Sequence, residues 1–359
     1  VIGKLENRDI VIIPVSMVLL SICGTTFGMS EEALPFYAIF IPIMMALGYD
    51  SMTAFMICFM GPNIGYIAST INPFNVLIAQ GIVGIKGNPQ LWLRFGVWVV
   101  FTALAIIWVM RYASKVKRDP KSSITYQDDI AKRKEFSVSD DSVAMPFSGR
   151  QKGVLVVFAC GMGLIVWGLV TQGWYMDEIS AVFLGMGILS GIVGGLSEKE
   201  MAEEFVRGLA DFAYAAVIIG LARSILVIAE NGMIIDTILN ALATALSGVP
   251  TAVYTTFLYV VLGLLSLLVP SSSGLAALTM PILGPLTELM HVNPEAAVTA
   301  LCLANQTVNS VSPTAGMTVA GLAVAKISFG QWWKTCWKFM LLIMALGIVV
   351  TAVSGMLPA

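Results

Sequence analysis

MSEEALPFYAIFIPIMMALGYDSMTAFMICFMGPNIGYIASTINPFNVLIAQ, residues 29–80, lies without a gap on SSGLAALTMPILGPLTELMHVNPEAAVTALCLANQTVNSVSPTAGMTVAGLA, residues 272–323, at an offset of 243. The offset pairs Ser30 with Ser273, Ile39 with Ile282, Pro42 with Pro285, Asp50 with Asn293, Ala54 with Ala297 and Ser69 with Ser312. It also aligns two polar breaks inside apolar surroundings, Ser69-Thr70-Ile71-Asn72-Pro73 with Ser312-Pro313-Thr314-Ala315-Gly316, and two small or polar tips, 24–30 with 270–274. One identity of this kind carries little. Four interruptions at corresponding places in two halves mark a repeat whose discontinuous helices enclose a binding site, the arrangement of secondary transporters.

Composition supplies the medium. With 57% hydrophobic and 12% charged residues, the 359-residue chain is too apolar for a soluble domain and belongs in a lipid bilayer. Its net charge of -2 gives nucleic acid no electrostatic hold. The five cysteines stand in apolar segments without ligand-like spacing, so no metal site or disulfide is implied. The one histidine, His291, sits in a turn before Asn293-Pro294, and no phosphate-binding G-x-x-x-x-G-K-[ST] occurs. Catalytic residues, cofactors and ATP hydrolysis have no material here, so an enzyme is not expected. An ion or solute gradient would supply the energy, with Na+ or H+ as coupling ion.

These patterns predict an all-α polytopic membrane protein of two inverted repeats. The first repeat, 1–112, holds a re-entrant hairpin at 10–47, a broken helix at 50–86 and a helix at 91–112. The linker, 113–150, is rich in Ser, Asp and Lys and reads as a flexible connector without a catalytic role. The second repeat, 151–359, holds helices at 153–172, 178–196 and 210–230, an interfacial arm at 231–247, a hairpin at 251–289, a broken helix at 294–328 and a helix at 333–356. Residues 111–152 carry 10 of the 20 Lys and Arg, which places the linker in the cytoplasm. Helix counting then puts the C-terminus outside, opens the first hairpin inward and the second outward, and leaves five crossings between them. An odd number inverts the second repeat. Three crossings precede the second hairpin and none the first, so a segment on the order of 90 to 110 residues is expected ahead of residue 1.

Hairpin tips and helix breaks at mid-membrane leave backbone N–H and C=O groups that are tolerated only where they line a cavity or meet protein partners. Half-helix N-termini suit a carboxylate and half-helix carbonyls a cation. The expected substrate contacts are therefore Thr25, Thr26, Gly28, Ser30, Asn72, Pro73 and Asn75 in the first repeat. In the second they are Ser271, Ser272, Ser273, Gly274, Asn309, Ser312, Pro313, Thr314 and Gly316. Thr25, Asn72 and Asn309 are candidates for a bound Na+. Glu31 and Glu32, just past the first tip, could hold a cation, a proton or the basic end of a substrate; equally, they could cap the second hairpin arm. Arg223 could balance Asp211 or Glu230, or meet a substrate carboxylate. A cationic amino acid needs a carboxylate-binding tip and an acidic partner, and 271–273 with Glu31 and Glu32 offer both.

The segments 24–36, 46–51, 72–80 and 269–274, in particular Gly24-Thr25-Thr26-Phe27-Gly28-Met29-Ser30-Glu31-Glu32 and Asn72-Pro73-Phe74-Asn75-Val76-Leu77-Ile78-Ala79-Gln80, resemble the YfcC branch of the DcuC-type carriers, within the ion transporter superfamily. The resemblance runs over essentially the whole chain. It implies a bacterial inner-membrane carrier, generally a homodimer, that moves its hairpin domain by an elevator-type motion. The branch name points to basic amino acid antiport and the wider family name to C4-dicarboxylates. In the superfamily's dicarboxylate/sodium symporters both tips carry Ser-Asn-Thr; here they read Gly-Thr-Thr and Ser-Ser-Ser, so those sites do not carry over residue by residue.

Overall fold

The computed structural model describes residues 9–135, 148–168, 172, 176–234, 237, 241, 244 and 249–358, and every regular element among them is helical. The side chains of Asp211, Arg223 and Glu230, and most of the arm at 231–247, lie outside the described residues. The chain divides into two compact units, residues 1–137 with 214–359, and residues 138–213.

In the first unit the two repeats recur helix for helix. The first contains α1 (Ile12–Phe27), α2 (Leu34–Ala46), α3 (Ser51–Ile67), a single π-helical turn (Pro73–Leu77) running into α4 (Ile78–Val83), and α5 (Leu91–Arg118). After the connector helix α6 (Tyr126–Glu135), the second unit holds α7 (Gly149–Trp167), α8 (Met176–Gly194) and the start of α9 (Glu198–Asn231). The second repeat contains α10 (Thr251–Leu268), α11 (Ser272–Leu289), α12 (Glu295–Asn309), α13 (Gly316–Val324) and α14 (Phe329–Met356). Shifting the first set by 243 lands each helix on its counterpart within a few residues. Among the described residues, α5, α10 and α14 are long and apolar enough to cross a membrane.

Why the chain reverses after α1 follows from which groups touch. Gly61 faces Leu20, Gly65 faces Ser21 and Thr25, and the N–H of Thr70 donates to the Thr25 carbonyl at 3.0 Å, so α1 and α3 run side by side in the same direction. α2 therefore runs back the other way, packed on α3. In the second repeat the Tyr254 and Thr287 hydroxyls meet at 2.8 Å, pinning the start of α10 to the end of α11, while the tip reaches Asn305 and Asn309 on α12. Small residues let these backbones approach closely, the usual basis of helix packing in lipid.

α3 and α12, the first halves of the broken helices, cross antiparallel at the centre of the unit. Gln306 Nε2 donates to Asn63 Oδ1 at 2.6 Å, and Asn63 Nδ2 donates to Ser310 Oγ. The sequence separation of the Asn63–Gln306 bond is 243, the repeat offset itself, so each of these residues bonds its own counterpart. The second halves pack crosswise, α4 on α11 and α13 on α2.

Two boundaries differ from the sequence expectation. α9 begins at Glu198, because the stretch expected as a loop opens with Ser197 and Glu200 bonding each other's backbone N–H, which starts a helix. α5 continues to Arg118, and the connector expected to be flexible folds as far as Glu135. Hydropathy missed this because the segment packs through hydrogen bonds instead of apolar surface.

Candidate functional site

Each tip is held on the break of its own repeat. α1 ends at Phe27 with Gly28 at φ +74°, a left-handed cap that glycine adopts without strain. A Cβ on Gly28 would stand 2.7 Å from the Asn72 amide, so this glycine also permits the tip to close on the break. Thr25 Oγ1 donates to the Ala68 carbonyl at 2.7 Å, and Asn88 Nδ2 donates to the Thr70 carbonyl at 2.7 Å. Asn72 Oδ1 accepts the Phe74 N–H, while Asn72 Nδ2 and Asn75 Nδ2 both donate to Ser69 Oγ. Backbone groups freed by the break thus find protein partners, as the low-dielectric interior requires.

The second pair is built alike. Ser271 caps α11, its Oγ accepting the Gly274 N–H at 3.2 Å, and Ser272 Oγ donates to Asn305 Oδ1 at 2.8 Å. Asn309 Nδ2 donates to the Pro270 carbonyl at 2.6 Å, tying break to tip. Thr314 Oγ1 bonds Ser312 Oγ and donates to the Leu267 carbonyl; Trp332 Nε1 donates to the Ser310 carbonyl at 2.9 Å. Gly316 opens α13 and Pro313 is exposed in the break. Tyr66, in the last turn of α3, is buried on the stretch against which Gly24 of α1 packs.

The structure sorts the candidates. Thr26 is set apart: its hydroxyl bonds back to the Ile22 carbonyl within α1. Among the Na+ candidates, Asn72 Oδ1 accepts a backbone N–H and the Thr25 hydroxyl donates to a carbonyl, whereas the buried Asn309 Oδ1 has no hydrogen-bond partner. Glu31 and Glu32 separate. Glu32 is 3% exposed and its Oε2 accepts the Ser30 N–H at 2.9 Å, so it caps the tip; Glu31 is exposed.

Sequence reasoning missed a buried ion pair. Arg94 of α5 donates to Glu295 Oε2, both side chains almost wholly buried, and Gln80 Nε2 donates to Glu295 Oε1 at 2.6 Å. Arg94 also shares a water-sized cavity of about 10 Å³ with Ser69, at the end of α3. The available signal was one charge at each of two positions that bound apolar runs, 94 and 295.

Comparison with known proteins adds a family. A family model described as DcuC, C4-dicarboxylate anaerobic carrier, matches residues 1–355. The chain is 35% identical over 340 residues to the Escherichia coli (strain K12) protein named "Putative basic amino acid antiporter YfcC", covering 92% of this chain and 67% of that protein. It is also 35% identical over 334 residues to an uncharacterized Haemophilus influenzae protein, covering 93% and 65%. The chain therefore spans about two thirds of the length of these relatives. The crystal structure of the Alcanivorax borkumensis YdaH transporter superimposes with a TM-score of 0.50 over 98% of this chain and 81% of that one, at 15% identity, a likeness of fold alone.

Proposed function

This chain belongs to the DcuC family of membrane carriers, and from that premise we propose that it is a secondary active transporter of a small carboxylate-bearing metabolite, a basic amino acid exchanged by alternating access. The observation that carries the reading is that each of two repeat-related tips is fixed to its own broken helix, Thr25 to the Ala68 carbonyl and Asn309 to the Pro270 carbonyl. In this reading the pairs α1–α2 and α10–α11 are re-entrant hairpins from opposite faces, and their unit moves in an elevator-type cycle across a bacterial inner membrane. The linker is then cytoplasmic and the C-terminus outside. Substrate meets the free N–H groups at the start of α11 through its carboxylate and the first tip through its cationic end. Ser30, Glu31, Ser271, Ser272, Ser273, Gly274, Asn309 and Thr314 are the contacts expected to matter most, with Asn309 Oδ1 free to accept from an ammonium or to ligate a coupling cation.

The test is uptake of radiolabelled arginine, ornithine and succinate into proteoliposomes, with and without arginine inside and with imposed Na+ or H+ gradients. Arginine uptake driven by internal arginine or ornithine supports the proposal. Succinate uptake driven by a cation gradient replaces it with C4-dicarboxylate transport.

Selectivity provides a residue-level prediction. Glu31→Gln should weaken basic substrates by about tenfold or more while sparing neutral ones, since one charged hydrogen bond is worth about 1.5–3 kcal/mol. Glu32→Gln should lower affinity for both alike, because its carboxylate serves the tip backbone. Competition measurements with arginine and a neutral analogue read the difference; equal losses in Glu31→Gln would remove it from the substrate.

A further inference from the structure

The connector after α5 is bonded into the first unit at points the transporter reading does not use. Ser123 Oγ and the Tyr112 hydroxyl both donate to Asp50 Oδ2, at 2.6 and 2.7 Å. Asp129 accepts from the Ser51 N–H at 2.9 Å and from Thr125 Oγ1 at 3.0 Å. Arg133 donates to the Tyr49 carbonyl at 2.7 Å, and Gln331 Nε2 to Asp128 at 2.6 Å. Lys132, 5% exposed, lies 3.4 Å from Asp129; its Nζ donates to Ser51 Oγ at 2.8 Å and to the Ala325 carbonyl at 2.9 Å. Burial pulls the Lys132 ammonium below the ordinary lysine range, and the Asp129 carboxylate opposes that.

The two groups that Lys132 joins are far apart in sequence and opposite in kind. Ser51 begins α3, the first half of one broken helix, and Ala325 follows the end of α13, the second half of the other. An ammonium on a helix's terminal carbonyl and a carboxylate on another helix's first N–H both complement the helix dipoles. The same relation recurs in the other repeat. Gln80 of α4 meets Glu295 at the start of α12, and a shift of 243 takes Gln80 to 323 and Glu295 to 52, within two residues of Ala325 and Ser51.

We propose that residues 119–133 form a strap built into the unit that carries the tips, in which Lys132 is a positioning residue that sets the start of one broken helix against the end of the other, and that the strap stays closed throughout the transport cycle. The inference rests on the transporter reading and extends it. Opening the strap would strand a buried carboxylate, a buried ammonium and several backbone groups at once, whereas motion of the whole unit disturbs none of them.

The experiment bridges Asp128→Cys and Gln331→Cys in the full-length protein and compares uptake with the bridge closed and reduced. Uptake within about twofold of the reduced protein is expected. A loss of tenfold or more that reductant reverses would overturn the strap, and so would a failure of the two thiols to bridge. Lys132→Met supplies the second arm: a lower thermal midpoint and a KM raised about tenfold at equal amounts of folded protein, with partial rescue by Lys132→Arg. An unchanged midpoint and KM would refute the positioning role. If the parent protein takes up none of the substrates, the transporter reading fails on its own, while bridge formation and the Lys132→Met midpoint still judge the strap.

Discussion

Gly24→Ala is expected to separate α1 from α3 and to abolish uptake, at a cost of about 3–5 kcal/mol. A Cβ at this position would lie 1.9 Å from the Pro62 carbonyl oxygen, and the obstacle is backbone, which no rotamer change can move aside. Relief requires α1 to move off α3. That in turn breaks the bonds from Thr25 to Ala68 and from Thr70 to Thr25 that seat the tip on the break. Gly65 faces the same constraint from the other helix, its Cβ falling 2.1 Å from the Ser21 carbonyl oxygen. Gly96→Ala is the matched control, a helical glycine with nothing within 4 Å of the added carbon; it should hold or raise the thermal midpoint, since alanine is favoured over glycine in a helix by roughly 1 kcal/mol. Equal midpoints for Gly24→Ala and the parent in detergent would refute the close packing of α1 on α3.

Arg94→Met should cost a similar amount, about 3–5 kcal/mol, for an electrostatic reason. Removing the guanidinium leaves the buried Glu295 carboxyl without its cation, with the Gln80 amide as its remaining side-chain hydrogen-bond partner among the described residues. Glu295→Met strands Arg94 in the same way. The double replacement Arg94→Met with Glu295→Met removes both charges together and should recover much of the loss, because an apolar pair of similar volume often replaces a buried ion pair at little cost. Thermal midpoints of the three variants form a double-mutant cycle. Additive losses would mean that the two side chains do not depend on each other.

What could be read in the sequence was what repeats. The offset of 243 foretold that helices in the two halves would match, and α1–α5 recur as α10–α14 at that offset, since a duplicated plan leaves paired polar breaks in apolar surroundings. Of the residues expected as substrate contacts, Thr25 and Asn309 bond tip to break, Ser272 bonds Asn305 on α12, and Asn72 bonds Ser69 within the break. What could not be read was pairing across the chain. Arg94 and Glu295 are 201 residues apart, and either alone looks like a charge at the edge of an apolar run. Asp129 and Lys132 were hidden in a segment whose composition is that of a solvated linker, because the faces they turn inward meet Ser51 and Ala325 through polar atoms. The choice between Glu31 and Glu32 depended on which carboxylate the Ser30 N–H reaches, which two adjacent identical residues do not reveal.

The bond from Gln306 to Asn63 bears on how such a chain can be divided. Residues that meet their own counterparts lie on an axis of approximate two-fold symmetry, so the contact is isologous, of the kind found between identical subunits. One repeat by itself holds half of this amide pair and could complete it only against a second copy of itself. For the same reason the pair tolerates exchange better than change: Asn63→Gln together with Gln306→Asn keeps the combined reach across the axis, whereas either alone alters it by a methylene. The centre of the unit thus has the form of a two-fold subunit interface, held within a single polypeptide.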